Sequence, residues 1–205
     1  MIPNALLKHF KKLKYLFNFE NDIENCLATL LQGGLILYPT DTVWGIGCDA
    51  SNSSAVAKIY ALKKRSDEKS LIVLLDDENQ IPTYVTQPNP KIFDYIKGIH
   101  KPTTFIYEGA INLAKNMIQA DGTVGIRITI DPFCQKLISR FGKPLVSTSA
   151  NISGYPAPAI FEDVDYEIKN GVDYIVQHRQ DDVTAASPSA IVKLNADGSL
   201  TIIRP

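Results

Sequence analysis

Short runs of apolar residues recur along this chain, separated by stretches with the periodicity of an amphipathic helix. Runs of four or five residues are too short for helices, and strands that are apolar at nearly every position are typical of a sheet whose two faces are both covered. The strand candidates are residues 35–38, 71–75, 103–107, 124–128, the run that begins at Val146, and 172–176. The helix candidates are residues 22–32, 53–64, 91–97 and the stretch opened by Asp131 and Pro132.

This alternation predicts one α/β domain, built on a twisted mixed sheet in layers with helices. Ser53 is a candidate N-cap, and Asp131 followed by Pro132 is a second helix start. Two apolar runs, residues 191–194 and 200–203, flank the turn sequence Asn-Ala-Asp-Gly. Turn residues of this kind between two apolar runs predict a hairpin at the end of the chain.

Charge and cysteine usage exclude several classes of protein. The 205 residues carry a formal net charge of -1, so an anion site must come from a local cluster of basic side chains. Cys26, Cys48 and Cys134 lie far apart and form no CxxC pair, which argues against a disulfide framework or a structural zinc site. We expect a reducing, cytoplasmic setting and no contact with a membrane, because no apolar run has membrane-spanning length.

Residues 1–20 form a basic extension, and we place the domain at residues 21–205. Lysines alternate with leucines and phenylalanines in the extension, as in a basic amphipathic helix that touches a membrane or RNA. The interpretation that we favour is a leading helix whose apolar side packs on the domain while its lysines stay in water.

The most polar strand end lies in the sequence KPLVSTSANISGYP, residues 143–156. Ser147, Ser149 and Asn151 follow an apolar strand start, and every buried hydroxyl needs a hydrogen-bond partner. Such a segment suits a surface that holds phosphate or carboxylate oxygens. A loop that caps the next helix has the same composition, so both interpretations stay open on this segment alone.

Three further segments supply hydroxyl or cationic side chains. Thr40 and Thr42 follow the first strand, and two glycines after them let the backbone approach closely. Lys63 and Arg65 lie at the end of a predicted helix, where basic residues are usually solvated. Arg127 lies in an apolar strand, where a guanidinium is costly without an anion beside it. That anion is either a ligand or a structural carboxylate.

Taken together and in this order, the segments resemble the YrdC family. The resemblance rests on PTDTVWGIG, KKR, VGIRI, KPLVSTSANISG, SPSAIV and IIRP, and it runs from about residue 23 to residue 205. The best-known members of that family are L-threonylcarbamoyladenylate synthases. The resemblance implies the YrdC-like fold, a twisted mixed α/β sheet with a concave, positively charged face. The chain departs from the family pattern at Ser70, at residues 100–104 and at Ala190.

The resemblance implies a reaction that joins L-threonine, bicarbonate or CO2, and ATP into threonylcarbamoyl-AMP and pyrophosphate. A tRNA threonylcarbamoyltransferase complex then moves the threonylcarbamoyl group to adenosine 37 of tRNA, and direct contact with tRNA is a further expectation. Mg2+ is expected on the phosphates, although the sequence does not mark its ligands. The chain lacks G-x-x-x-x-G-K-[ST], so ATP is not held by a Walker loop.

The resemblance also assigns site residues. Since both reacting partners are anions, such a site must offset their repulsion and hold them in line, without a covalent nucleophile. The catalytic residues match the family's K-x-R…S-x-N pattern and are Lys63, Arg65, Ser149 and Asn151. The ATP-binding residues are Lys63, Arg65, Ser147, Ser149, Asn151 and Arg204. The threonine-binding residues are Thr40, Thr42, Thr104 and Arg127, of which Arg127 is also a candidate phosphate contact.

Three other functions remain open at this point. A YciO-like paralogue of different activity is disfavoured by Lys63 and by the intact Ser-Ala-Asn after Thr148. A double-stranded RNA- or tRNA-binding module without synthase activity would use the concave face, but the chain lacks the interleaving of aromatic and basic residues typical of such modules. A serine hydrolase built on Ser147 or Ser149 is disfavoured because no G-x-S-x-G occurs.

Overall fold

The computed structural model describes residues 19–65, 71–99, 101–195 and 199–205. Strands and helices alternate along this part of the chain. The strands are β1 Ile36–Tyr38, β2 Gly45–Gly47, β3 Ile72–Leu75, β4 Thr103–Tyr107, β5 Val124–Ile128, β6 Leu145–Ser149, β7 Tyr174–Ile175, β8 Ala190–Leu194 and β9 Leu200–Arg204. The α-helices are α1 Glu20–Leu31, α2 Ser53–Leu62, α3 Ile81–Tyr84, α4 Lys91–Gly98, α5 Pro132–Phe141 and α6 Tyr166–Gly171, with 3-10 turns at Glu78–Gln80 and Lys115–Met117.

The strands form one mixed sheet in the order β7-β1-β2-β6-β3-β5-β4-β8-β9. In its central part Val73 lies opposite both Val146 of antiparallel β6 and Ile126 of parallel β5. Phe105 of β4 in turn lies opposite Ile126 and Val192. Directly opposed residues share a face, so these five buried side chains form an apolar row across five strands. The predicted α/β class with a mixed sheet and helices is confirmed.

The other face of the same strands carries polar side chains, because successive residues of a strand point to opposite faces. Ser147 lies opposite Ile72, which lies opposite Gly125. Arg127, two residues after Gly125, therefore shares the face of Ser147. The centre of the sheet thus has one face with this apolar row and another face that carries hydroxyl and guanidinium groups.

A β-bulge decides on which face Arg204 lies. Val192 pairs with Ile202, but Ile191 pairs with Arg204 and leaves Ile203 without an opposite residue. In a regular ladder Ile191 would pair with Ile203, and Arg204 would point to the other face. The one extra residue of the bulge turns the Arg204 side chain onto the same face as Ile191.

Two helix starts were predicted, and one of them needs a correction. Asp131 caps α5, where its Oδ1 accepts a hydrogen bond from the Cys134 amide at 2.9 Å. The cap of α2 is Asn52, whose side-chain oxygen accepts from the amides two and three residues later. The prediction of Ser53 is therefore wrong by one residue, since Ser53 is already the first helical residue.

The last strands of the chain can be compared with their predictions. The closing hairpin of β8 and β9 is confirmed, although the middle of its turn lies outside the described residues. The strand predicted at residues 172–176 is shorter and covers Tyr174–Ile175.

Nearly all of the basic extension proposed at residues 1–20 lies outside the described residues, so the domain boundary stays a prediction. In the part of the chain that the structure describes, no helix has both the length and the apolar character to cross a membrane.

Candidate active site

A cleft of about 330 Å3 opens on the polar face of the sheet. Its walls come from the turn after β1, from β2, from β6 with the loop that follows it, and from the ends of β5 and β9. Most of the predicted site residues meet in this cleft. Those that line it are Thr42, Arg65, Arg127, Ser147, Ser149, Asn151 and Arg204. The others, Lys63, Thr40 and Thr104, are buried and contact the segments that form the walls.

Two glycines of β2 let the wall of the cleft pack closely. A Cβ atom at Gly47 would lie 2.7 Å from Cε1 of Tyr38 and 2.9 Å from the carbonyl oxygen of Val146. A Cβ atom at Gly45, which lines the cleft, would lie 3.3 Å from the carbonyl oxygen of Thr148. A side chain at Gly47 would therefore force β2 away from the Tyr38 ring and β6, and one at Gly45 would press on the carbonyl oxygen of Thr148.

The loop after β6 holds its own shape through Asn151. The Ser149 hydroxyl donates to Oδ1 of Asn151 at 2.5 Å. Nδ2 of Asn151 donates to the carbonyl oxygens of Ile152, at 3.0 Å, and Tyr155, at 2.7 Å. The amide of Asn151 thus connects both ends of the loop, and Tyr155 remains 71% exposed at the rim of the cleft.

Lys63 supports this loop from inside the protein. Its ammonium donates to the carbonyl oxygens of Ser149, at 2.5 Å, and Asn151, at 2.6 Å. The residue is 1% exposed and does not line the cleft. Burial, with a smaller contribution from the charge of Arg65, lowers the pKa of Lys63 to about 7. The backbone that carries Ser149 and Asn151 is therefore attached to the end of α2.

Arg127 reaches the cleft from β5 and forms a buried ion pair with Asp41. One Nη atom of Arg127 donates to the Asp41 carboxylate, whose other oxygen accepts from the amide of Ile130 at 3.2 Å. The side chains of the pair are 2% and 6% exposed. Nε of Arg127 is buried without a hydrogen-bond partner in the structure. The sequence left open whether a ligand or a structural carboxylate lies beside Arg127. The structure shows the carboxylate, that of Asp41, and the guanidinium also lines the cleft.

Thr104 supports the part of the cleft wall that carries Arg204, through a contact with Ser189. The two hydroxyl oxygens lie 2.9 Å apart, and Thr104 is fully buried beneath Ser189. Nε of Arg204 donates to the Ser189 carbonyl oxygen at 2.9 Å. Burial, and then the charge of Arg127, lowers the pKa of Arg204. Thr104 thus contacts the cleft indirectly, through the residue that orients Arg204.

The turn after β1 is held together by the Thr40 hydroxyl. This hydroxyl donates to the Val43 carbonyl oxygen and accepts from the Thr42 amide, each at 2.9 Å. Thr40 is 1% exposed, whereas Thr42 lines the cleft. Of the two threonines, only the second is thus in reach of a bound molecule.

Several residues of the site were not predicted. Asp41 lies between two predicted residues, and Ser189 lies in the SPSAIV segment, but nothing in the sequence identifies their partners. Asp41 and Arg127 are 86 residues apart, and Thr104 and Ser189 are 85 apart. Among the residues that the structure describes, no group of three or more His, Cys, Asp or Glu side chains is placed to hold a metal ion.

The chain is similar in sequence to a known family. The model of the Sua5, YciO and YrdC family, described as telomere recombination, matches residues 28–205. The chain is 38% identical to threonylcarbamoyl-AMP synthase of Pseudoalteromonas translucida over 138 residues, which are 66% of this chain and 74% of the relative. The synthase of Vibrio parahaemolyticus is 34% identical over 154 residues, 72% of this chain and 82% of the relative.

Two solved structures share the fold. Sua5 of P. abyssi, complexed with L-threonine, superposes with a TM-score of 0.79 at 22% identity, over 89% of this chain and 53% of that chain. YciO of E. coli superposes with a TM-score of 0.74 at 22% identity, over 90% of this chain and 88% of that chain. The chain thus spans about half the length of the Sua5 protein. With a family model that covers most of its length, the chain belongs to the Sua5/YciO/YrdC family.

Proposed function

We propose that this protein is a threonylcarbamoyl-AMP synthase, an enzyme of the nucleotidyltransferase type. The observation that carries the proposal is the convergence of three arginines, Arg65, Arg127 and Arg204, with the hydroxyls of β6 on one cleft. A cleft with this lining suits two reactants that are both anions. The relatives named threonylcarbamoyl-AMP synthase support the choice of reaction.

The proposed reaction has two steps. The neutral amine of L-threonine attacks CO2, supplied as such or from bicarbonate, and the new N–C bond gives a carbamate after the nitrogen loses a proton to water. A carbamate oxygen then attacks the α-phosphorus of ATP, and the bond to the bridging oxygen breaks as pyrophosphate leaves. Such a transfer depends on in-line positioning and on charge neutralisation, with no covalent bond to the protein.

The cations of the cleft would offset the repulsion between the carbamate and the phosphates. Arg65 and Arg204 would bind phosphate oxygens, for which a planar guanidinium is well suited. Lys63 lies behind the cleft wall, so it would act by holding the loop that carries Ser149 and Asn151. Ser147, Ser149 and Asn151 would add neutral hydrogen bonds to the nucleotide.

The threonine would bind on the side of Thr42 and Arg127. Both residues line the cleft, and the buried Nε of Arg127 is a donor that a substrate oxygen could satisfy. Thr40 would act on this pocket through Thr42. Thr104, which the resemblance assigns to threonine, contacts Ser189 and would therefore act on the nucleotide end of the cleft, through Arg204. The cleft residues that the structure describes include no carboxylate, so hydroxyl and carbonyl oxygens are the ligands that they could offer Mg2+. Mg2+ would enter with the phosphates of ATP, and we assign no step to it.

The product, a mixed anhydride of a carbamate and AMP, needs an acceptor. We place a tRNA threonylcarbamoyltransferase complex downstream, in the cytoplasm, with adenosine 37 of tRNA as the final acceptor. Direct binding of tRNA to this chain is a separate proposal. Gel-shift titration with tRNA in the presence and absence of ATP and threonine tests it.

The decisive experiment is the release of pyrophosphate from ATP and bicarbonate across a panel of amino acids. We expect release that depends on L-threonine and exceeds that with serine, valine or no amino acid. Arg65→Ala should lower kcat/KM roughly tenfold to a hundredfold, because a charged hydrogen bond is worth about 1.5–3 kcal/mol. Arg140→Gln, which removes an exposed ion-paired arginine of α5, is the matched control. Release that is absent or indifferent to the amino acid would refute the proposal.

A further inference from the structure

Arg179 adopts a backbone conformation that is rare for residues other than glycine. It follows β7 and has a φ of +67°, in the left-handed region. Its side chain is 29% exposed, so most of it lies within the protein. A strained residue of this kind persists only where the surrounding structure holds it, and such residues concentrate at functional sites.

The guanidinium of Arg179 connects two segments that are distant in sequence. One Nη atom donates to the Thr40 carbonyl oxygen at 3.2 Å and to Oδ2 of Asp131 at 2.8 Å. Nε lies 3.5 Å from a carboxylate oxygen of Asp182. Asp131 is also the N-cap of α5, so its other oxygen is already bonded to the first turn of that helix. Arg179 therefore attaches the turn after β1 to the start of α5.

The attached turn forms part of the cleft. Thr42 lines the cleft, and its amide donates to the Thr40 hydroxyl. Asp41, between them, forms the ion pair with Arg127. A shift of the Thr40 carbonyl would move both the Thr42 hydroxyl and the carboxylate that orients Arg127. Arg179 itself does not line the cleft.

We propose that Arg179 is a positioning residue, which holds the turn formed by residues 40–42 so that Thr42 and Arg127 face the amino-acid substrate. The proposal rests on the proposed function for its choice of substrate. Loss of the Arg179 side chain should therefore weaken the binding of threonine, which loss of an ordinary surface arginine would not do. The binding of ATP at the nucleotide end of the cleft should change little.

Two variants separate this role from a role in stability. Arg179→Gly removes the guanidinium but also relieves the backbone, because glycine adopts a positive φ freely. Arg179→Lys keeps the positive charge, but its side chain is one bond shorter and it loses the Nε contact to Asp182. We expect Arg179→Gly to raise the KM for L-threonine about tenfold, with the KM for ATP changed less than about twofold. Arg179→Lys should fall between wild type and Arg179→Gly, and Arg140→Gln should match the wild type.

Hydrogen exchange of the peptide that spans residues 39–44 gives a readout that does not depend on activity. Exchange there should rise about tenfold in Arg179→Gly and stay unchanged in Arg140→Gln. An unchanged exchange rate in Arg179→Gly would overturn the proposal. A faster exchange with an unchanged KM for threonine would also overturn it, since the contact would then be structural only. If wild type shows no threonine-dependent pyrophosphate release, the proposed function fails, while the exchange rates still decide whether Arg179 holds the turn.

Discussion

Arg127 and Asp41 form their ion pair at the wall between two cavities. Arg127 lines the cleft on the polar face of the sheet, whereas Asp41 lines a second cavity, of about 330 Å3, together with Phe105 and Ile126 of the apolar face. The pair is almost completely shielded from water. The positive charge of Arg127 is thus already shared with a fixed carboxylate before any substrate binds.

Removal of one member of this pair should cost more stability than removal of both. Arg127→Leu leaves the Asp41 carboxylate buried and unpaired, which costs about 3–5 kcal/mol. Asp41→Asn in the same chain keeps an acceptor for the Ile130 amide and should restore a large part of that loss. Urea denaturation of the single and double variants measures both effects. Additive losses in the double variant would show that the two side chains do not act as a pair.

The contact between Thr104 and Ser189 should matter for the nucleotide end of the cleft. Thr104→Val removes a buried hydrogen bond, so we expect a loss of about 1 kcal/mol in the free energy of unfolding. The KM for ATP should also rise a few-fold, because Ser189 accepts from Arg204. Thr103→Val, on the same strand but the other face, is the control. Equal effects of the two variants on the KM for ATP would contradict this prediction.

The buried ammonium of Lys63 should make stability depend on pH. In the folded protein the pKa of Lys63 is about 7, against an ordinary value of 10.5. Between these values the unfolded chain binds more protons, so the stability of wild type should rise with pH relative to Lys63→Met. The difference should grow by at most about 1.4 kcal/mol per pH unit. Urea denaturation of both proteins at pH 6, 7.5 and 9 tests this, and a difference that stays constant would contradict it.

A side chain at Gly47 should destabilise the protein. A methyl group there would meet both the Tyr38 ring and the carbonyl oxygen of Val146, and a backbone atom cannot move aside easily. Gly47→Ala should therefore cost about 1–3 kcal/mol of stability, as overpacked cores do. Gly98→Ala, in α4, has open space around the new methyl group and serves as the control. A Gly47→Ala protein as stable as the control would show that β2 can shift away from Tyr38.

Much of the architecture could be predicted from local patterns. The apolar runs predicted the strands from β3 to β6, and Asp131 with Pro132 predicted the start of α5. Strand β2 could not be predicted, because Gly-Ile-Gly has low strand propensity and its place depends on its neighbours in the sheet. Helix α3 was also missed, since four residues that include a proline carry no helical periodicity.

The residues of the site also fall into those that local sequence patterns predicted and those that they did not. The sequence by itself determined the hydroxyl and cationic residues that a phosphate-binding surface needs, because chemical type and local spacing are visible along the chain. Only the tertiary structure decided that Asp41 is the anion beside Arg127, that Arg179 attaches the turn after β1, and that Arg204 faces the cleft. These outcomes depend on the order of the strands and on one extra residue in β9. Strand order and register are set by packing between distant segments, which periodicity does not encode.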